Sequence, residues 1–160
     1  MKSIGKVVAG AAAIAAVVWV GLYLYWHVKI SGALSTLKTQ YPPAIIDKTV
    51  DPLKGEAFET LSGAGCRSLH ALAGALDSGN NPELMYDAFF RIFSAQLPPP
   101  AGDPDAKAQL QFLEDNRVFL SDNAERRREK VARVQAWWKE NAPRYHQDWR
   151  LWSSKCAGDR

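Results

Sequence analysis

The sequence lacks the short motifs that most enzymes use to hold a phosphate, a metal ion or a nucleophile. It contains no Gly-rich phosphate loop, no HExxH, no CxxCH and no serine in a nucleophile-elbow setting. The acidic pairs Glu56 with Glu59 and Glu114 with Asp115 are typical of solvated helix surface rather than of acid–base catalysis. We therefore predict no catalytic residues and no cofactor, and we favour a binding role.

Cysteine and histidine are also scarce, with two and three copies. In an oxidising compartment Cys66 and Cys156 could form a disulfide, which in the chain-entropy model would contribute about 4 to 5 kcal/mol. Two free buried thiols are the main alternative. A third is a Cys2His2 metal site made with His70 and His146, although the spacing matches no standard zinc motif. The sequence leaves these three readings open.

Charge of one sign is not in large excess, with 20 Lys and Arg against 17 Asp and Glu. This balance does not indicate a nucleic-acid-binding protein. The one basic cluster, at Arg126, Arg127 and Arg128, has Glu125 and Glu129 within it and fits a solvated helix face. A contact with anionic lipid or with an acidic partner is the functional alternative.

The C-terminal tail is rich in aromatic residues. Tryptophan beside arginine is typical of protein-binding hot spots and of membrane-surface contacts, so Trp149 and Trp152 are candidates for such a contact. A small aromatic core that seals the helices would explain them equally well.

Residues 7–26, VVAGAAAIAAVVWVGLYLYW, carry no charge over twenty positions. A helix of this length is roughly 30 Å long, the thickness of the hydrocarbon core of a bilayer. A cleaved signal peptide would have a shorter apolar run and would not end in bulky aromatics. We therefore predict a short tail (1–6), a transmembrane anchor (7–28), a juxtamembrane linker (29–50) and a soluble domain (51–160).

One face of the predicted anchor carries small side chains. Close packing between membrane helices requires small side chains, so this stripe is a candidate contact with a neighbouring helix. Frequent alanine and glycine in membrane helices is the alternative explanation. The stripe consists of Gly5, Ala9, Ala12, Ala13 and Ala16.

The remaining chain predicts an all-α domain, because no stretch alternates with period two. Three predicted helix starts share one sequence pattern, a short polar residue followed by proline: Asp51-Pro52, Asn81-Pro82 and Asp103-Pro104. We expect a first helix of about 25 residues and a second that packs on it as an antiparallel hairpin. Gly63-Ala64-Gly65 is interpreted as a packing site within the first helix.

The later segments are shorter. We expect a third helix ending near Asp115-Asn116 and a buried connector at Val118-Phe119-Leu120. Asp122 with Glu125 forms a potential capping box for a fourth helix. The tail at 145–156 is expected to add a final helical turn or two. We expect a hinge between anchor and domain at Tyr41-Pro42-Pro43.

Several of these segments together resemble HEAT-type helical repeats over about residues 52–145. The resemblance rests on Asn81-Pro82-Glu83, on the start at Asp103–Ala106, and on the run from Arg126 to Asn141 with its paired tryptophans. The crowded Phe89, Phe90 and Phe93 and the proline-rich linker depart from the pattern. The resemblance implies a scaffold that binds other proteins through a packed helical surface, with no catalytic residues to transfer.

We therefore expect a single-pass protein of the inner membrane, with its N-terminus inside and its domain in the periplasm. Its expected partners are the lipid bilayer and a larger membrane complex, in which it would be an accessory or assembly subunit. A respiratory or photosynthetic complex is a candidate for that partner. Nucleic acid is not expected as a partner. The alternatives are an envelope enzyme or metal-binding protein that uses the Cys/His set, and a tethered lipid- or cell-wall-binding module.

Overall fold

The computed structural model describes residues 2–39, 53, 55–78, 81–97, 104–147 and 156–158, and their side chains apart from those of 2–12, 146, 147, 157 and 158. Within these residues the chain forms six α-helices and one small two-stranded ribbon. The all-α fold class is confirmed. In chain order the elements are α1 (Lys2–Thr39), α2 (Glu56–Ala64), α3 (Cys66–Ala75), α4 (Pro82–Gln96), α5 (Pro104–Asp115), α6 (Ala124–Asn141), a 3₁₀ turn (Ala142–Arg144), β1 (Tyr145–Gln147) and β2 (Cys156–Gly158).

Helix α1 is a single helix of 38 residues. At 1.5 Å per residue it is about 57 Å long, more than the hydrocarbon core of a bilayer requires. Its stretch Ala13–Thr39 is long and apolar enough to cross a membrane, with a mean hydropathy of 1.5.

The C-terminal part of α1 belongs to the core of the domain. Ile30, Ala33, Leu34 and Leu37 are buried, and Leu37 is fully inaccessible to solvent. Their spacing of three and four residues forms one apolar stripe, and α1 packs mainly on α2. The first part of the predicted 29–50 linker therefore continues α1 as a helix and packs on the domain. The hinge predicted at residues 41–43 lies outside the described residues.

The single helix of about 25 residues that the sequence predicts is divided in two at Gly65. This residue has φ 56° and ψ −121°, a backbone conformation that side-chain-bearing residues rarely adopt. The Gly65 N–H donates to the Leu61 and Ser62 carbonyls, and the buried Ser68 hydroxyl contacts the Leu61 and Gly65 carbonyl oxygens at 2.9 and 2.7 Å. Gly65 is thus a helix break, and its interpretation as a packing position within a helix was wrong.

Helix α4 begins as predicted. Buried Asn81 accepts a hydrogen bond from the Leu84 N–H at 3.0 Å through its side-chain oxygen, and Pro82 follows in the first turn. Met85, Phe89 and Phe93 are fully buried along its inner face. Helix α4 makes its most numerous contacts with α3.

The connection from α5 to α6 differs from prediction in two respects. Val118 is buried, whereas Phe119 and Leu120 are exposed, so only the first residue of the expected connector enters the core. Asn123, not Asp122, caps α6 by accepting a hydrogen bond from the Arg126 N–H at 2.8 Å.

Asp122 instead pairs with the buried side chain of Lys130. The Lys130 ammonium lies 2.7 Å from the carboxylate and also donates to the Arg117 carbonyl oxygen at 2.6 Å. The hydrogen bonds from Lys130 and from the Phe119 N–H lower the pKa of the Asp122 carboxyl. This pair joins α6 to the loop before it. The predicted ion pair between Glu129 and Arg133 is present on the exposed face, at 3.9 Å.

The chain ends in a ribbon rather than in the helical turns expected for 145–156. Strands β1 and β2 pair antiparallel, with Tyr145 opposite Gly158 and Gln147 opposite Cys156. A disulfide joins Cys156 to Cys66 at the start of α3, across a sequence separation of 90 residues. The ribbon is thereby fixed to the helices.

Candidate functional site

A groove of about 1120 Å³ lies between α1, α3, α6 and the start of β1. We call it the α1 groove. Ligand sites in proteins commonly enclose 300 to 1,000 Å³, so this groove is large for the size of the domain. It lies beside the part of α1 where the exposed apolar stretch meets the domain core.

The α1 wall of the groove is aromatic. Trp19, Tyr23 and His27 recur at intervals of four residues, so they lie on one helix face. Their rings are stacked in sequence, with centroid distances of 6.0 Å and 6.2 Å. Leu22, Trp26 and Ile30 complete this wall.

Arg67 provides a cation on the α3 wall. Its guanidinium lies 5.1 Å from the centroid of the Trp26 ring, which places the positive charge over an aromatic face. Partial burial lowers the pKa of Arg67, although a guanidinium remains protonated at physiological pH. His70 lies one helical turn further along, and its ring packs edge-on against Trp138 at 5.2 Å.

Helix α6 supplies the third wall through Trp138 and Lys139. Trp138 is only 5 % exposed and packs against Phe89, Phe93 and Tyr145. Within the described part of the chain its indole N–H has no hydrogen-bond acceptor. Lys139, the next residue, is exposed.

The charged side chains among the described residues that line the groove are basic. None of the described residues that line it is acidic, whereas Arg67 and Lys139 carry fixed positive charges. A smaller cavity of about 340 Å³ shares His27, Ile30 and Ala71 with the groove and adds Lys38. Cationic and apolar groups are therefore combined in one surface beside α1.

The disulfide forms part of the groove, since Cys66 is one of its lining residues. With both sulfurs bonded to each other, neither is available as a metal-binding thiolate. The predicted Cys2His2 site loses two of its four ligands for this reason. His70 is exposed and the side chain of His146 lies outside the described residues; no cluster of three or more potential ligands occurs in the part of the chain that was described.

The other predicted contact residues are not brought together. Ala13 and Ala16 are exposed on α1, and the side chains of Gly5, Ala9 and Ala12 are not described. Arg126 and Arg128 are exposed, while the guanidinium of Arg127 donates to the Asp122 carbonyl oxygen at 2.9 Å. Trp149 and Trp152 lie outside the described residues, so their role stays a prediction.

Sequence reasoning missed the groove. The spacing of Trp19, Tyr23 and His27 was a usable signal, because it marks one aromatic face of a helix. Arg67 and Lys139 gave no such signal in the sequence, because their approach to α1 depends on how α3 and α6 pack.

Comparison of the chain with protein-family models, with curated proteins and with solved structures finds no match. The resemblance to HEAT-type repeats therefore stays a prediction, and the function has to be argued from the geometry alone.

Proposed function

We propose that this protein is a single-pass membrane subunit whose helical domain binds a neighbouring membrane protein complex. The observation that carries the proposal is the continuity of α1, which runs from an exposed apolar stretch into the core of the domain within one helix. Such a helix holds the domain in a fixed position relative to the bilayer. A fixed domain suits an accessory or assembly subunit that presents one surface to a partner.

The exposed apolar residues of α1 support the anchoring. Ile14, Val17 and Val28 are each more than two thirds exposed. Removing apolar surface from water contributes about 25 cal/mol per Å², so a row of such side chains favours a bilayer environment. The exposed Ala13 and Ala16 would then allow a second membrane helix to approach closely.

The disulfide supports placing the domain outside the cytoplasm. Disulfides persist in oxidising compartments such as the periplasm and are rare in the cytosol. Lys2 and Lys6, before the anchor, are compatible with an inside N-terminus. We therefore propose an inner-membrane protein with a periplasmic domain.

Purification of the tagged full-length protein in mild detergent tests the partner. The protein is expected to migrate within a larger stoichiometric complex, and Ala13→Leu with Ala16→Leu is expected to release it by filling the small face. Ile14→Leu with Val18→Leu enlarges or reshapes apolar side chains elsewhere on the helix and serves as the matched control. Migration of the unmodified protein alone would contradict the proposal.

The orientation can be tested separately with a new cysteine at exposed Ala136. Because Cys66 and Cys156 are joined, a membrane-impermeant maleimide would label only the introduced thiol. Ala136→Cys is expected to react once the outer membrane is permeable. Reaction only after lysis of the inner membrane would place the domain in the cytoplasm.

A lipid-binding module is the second candidate, because the α1 groove combines cations with aromatic and aliphatic side chains. The enzymatic and metal-binding alternative gains no support from the disulfide, which occupies its two proposed sulfur ligands.

A further inference from the structure

We infer that the disulfide between Cys66 and Cys156 is an exchange site for a protein dithiol of the CxxC class, which attacks the sulfur of Cys156 and releases the C-terminal ribbon from α3. Exchange outside the cytoplasm depends on the proposed orientation of the domain. The exchange chemistry depends on neither that orientation nor the proposed partner complex.

The two half-cystines differ in access. Cys66 is 3 % exposed, whereas Cys156, at the start of β2, is partly exposed. A thiolate from another protein must reach the sulfur that it attacks, and access is one of the factors that set the rate of thiol–disulfide exchange. Attack at Cys156 is therefore favoured over attack at Cys66.

The position of Cys66 in the fold suits a leaving group. Cys66 is the first residue of α3, a helix of ten residues, so a thiolate formed there would lie at the helix N-terminus. The partial positive charge at this end of a helix stabilises a negative charge. A thiolate that is better stabilised leaves faster. Access to Cys156 and the location of Cys66 thus favour the same direction of attack.

The exchange has two steps, and both conserve atoms and electrons. The first thiolate of the dithiol forms a bond to the Cys156 sulfur while the bond between Cys66 and Cys156 breaks, and the electron pair stays on Cys66. Burial favours protonation of this thiolate, and water supplies the proton. The second thiol of the CxxC protein, once deprotonated, attacks its bonded neighbour and releases Cys156, which is protonated in turn. Two electrons and two protons have then passed to the disulfide, and the CxxC protein is left oxidised.

The ribbon is attached to the helices largely through this bond. Its strands are three residues long, and two-stranded hairpins are at best marginally stable alone. Strand β2 is further held by the Cys156 N–H, which donates to the side-chain oxygen of Gln96 at 3.1 Å. Cys66 and Tyr145 both line the α1 groove. Release of the ribbon would therefore loosen one edge of the groove.

A trapping experiment on the oxidised full-length protein in mild detergent tests the site of attack. The probe is a thioredoxin whose second active-site cysteine is replaced by serine, so that the mixed disulfide cannot resolve. After acid quenching, alkylation of free thiols and digestion without reductant, mass spectrometry locates the probe. We expect it on Cys156, with a preference of roughly tenfold over Cys66. Equal capture at the two cysteines, or capture mainly at Cys66, would overturn the inference.

The same probe distinguishes an exchange site from a closed structural disulfide. A parallel sample unfolded in concentrated urea, where both sulfurs are accessible, should be captured without preference. Capture in urea but not in the folded protein would show that the disulfide is closed to exchange and would overturn the inference.

A matched pair of glutamine variants tests the attachment of the ribbon. Gln96→Ala removes the acceptor of the Cys156 N–H and is expected to speed capture about threefold. Gln111→Ala changes an exposed side chain of α5 and is expected to leave the rate unchanged. Equal rates in the two variants would overturn the coupling of exchange to the ribbon.

Hydrogen-exchange mass spectrometry of the reduced protein tests the release. Residues 145–147 and 156–158 are expected to lose amide protection while α4 keeps it. Cys66→Ala with Cys156→Ala should show the same loss and no response to reductant. Unchanged protection of the ribbon after verified reduction, or loss of protection in α4 as well, would overturn a selective release. Labelling of Ala136→Cys in cells is scored separately, so a wrong orientation is distinguished from a failure of exchange.

Discussion

Helix α1 contains two regions of similar apolar composition that lie in opposite environments. The exposed region runs from Ile14 to Val28, and the buried region runs from Ile30 to Leu37. Val28 is 68 % exposed, while Leu37, nine residues later on the same helix, is 0 % exposed. In the second region α2 covers the apolar stripe, whereas in the first region the domain covers one side only and encloses the α1 groove there. Apolar composition therefore does not identify a membrane segment by itself. What distinguishes the two regions is whether the protein provides a packing partner.

The boundary between the regions is marked by side chains suited to a membrane surface. Lys29 lies 5.9 Å from the centroid of the Tyr25 ring, and Trp26 and His27 are adjacent in sequence. Aromatic residues and lysine are typical of the level at which a helix leaves the hydrocarbon. Trp26 and His27 also line the α1 groove, so the groove adjoins the same part of the helix.

The largest effect is expected from charging the exposed region. Ile14→Lys with Val18→Lys places two ammonium groups in the predicted anchor, at roughly 2.5 to 3.5 kcal/mol each near the middle of a membrane helix. We expect the protein to move from the membrane pellet to the supernatant on alkaline carbonate extraction. Ile14→Leu with Val18→Leu should remain in the pellet. A lysine variant that stays with the membrane as firmly as the control would show that this region is not the anchor.

Removal of the disulfide should lower the stability of the domain, including the buried region of α1. It should leave the membrane attachment of the exposed region unchanged. Closure of a loop of about 90 residues contributes roughly 4 to 5 kcal/mol in the chain-entropy model. Reduction should therefore lower the urea midpoint of the full-length protein in mild detergent, while carbonate extraction is unchanged. Cys66→Ala with Cys156→Ala should start at the lower midpoint and show no response to reductant. An unchanged midpoint after verified reduction would contradict this role.

A matched pair of truncations compares the two regions directly. Leu37→Ala leaves a cavity in the core and should cost about 2 to 5 kcal/mol of unfolding free energy. Val28→Ala removes an exposed side chain and should cost less than about 0.5 kcal/mol, as surface substitutions usually do. Both values come from urea denaturation followed by tryptophan fluorescence. Similar costs at the two positions would mean that α1 does not pack on the domain as described.

The smallest effect is expected at Gly32, an exposed position of α1 between two buried residues. A Cβ added at Gly32 meets no atom within 4 Å, so Gly32→Ala should stabilise the helix by about 0.5 to 1 kcal/mol. Gly65→Ala should destabilise, because the φ of 56° at Gly65 is strained for alanine. The same denaturation measurement gives both signs. A loss of stability in Gly32→Ala would indicate that α1 is not a regular helix there.

Much of the fold could be predicted from local patterns. The Asn81-Pro82 start, the apolar stripe of α4 and the ion pair between Glu129 and Arg133 depend on residues close in sequence, and the structure contains all three. The absence of period-two alternation identified the all-α class, and the three-residue strands of the ribbon are too short to give such a signal.

The wrong predictions concern positions where tertiary contacts or a backbone break overrode a local sequence pattern. Asp122 and Asn123 can both cap a helix, and the nearby Lys130 ammonium engages Asp122. The apolar stripe continues before and after Gly65, so its periodicity alone could not reveal the helix break there. The groove was missed for the same reason, since it depends on three helices meeting rather than on any one motif.

In the proposed arrangement, one stiff helix connects the bilayer to the domain core. Spin labels at Ile14→Cys and Ala136→Cys can be attached selectively, because the native cysteines are paired. Double electron–electron resonance on the full-length protein in lipid nanodiscs measures the distance between the exposed region of α1 and the domain. We expect a single narrow distance distribution that does not change with the lipid. A broad distribution would show that the domain moves freely on its anchor and would contradict a stiff connection through α1.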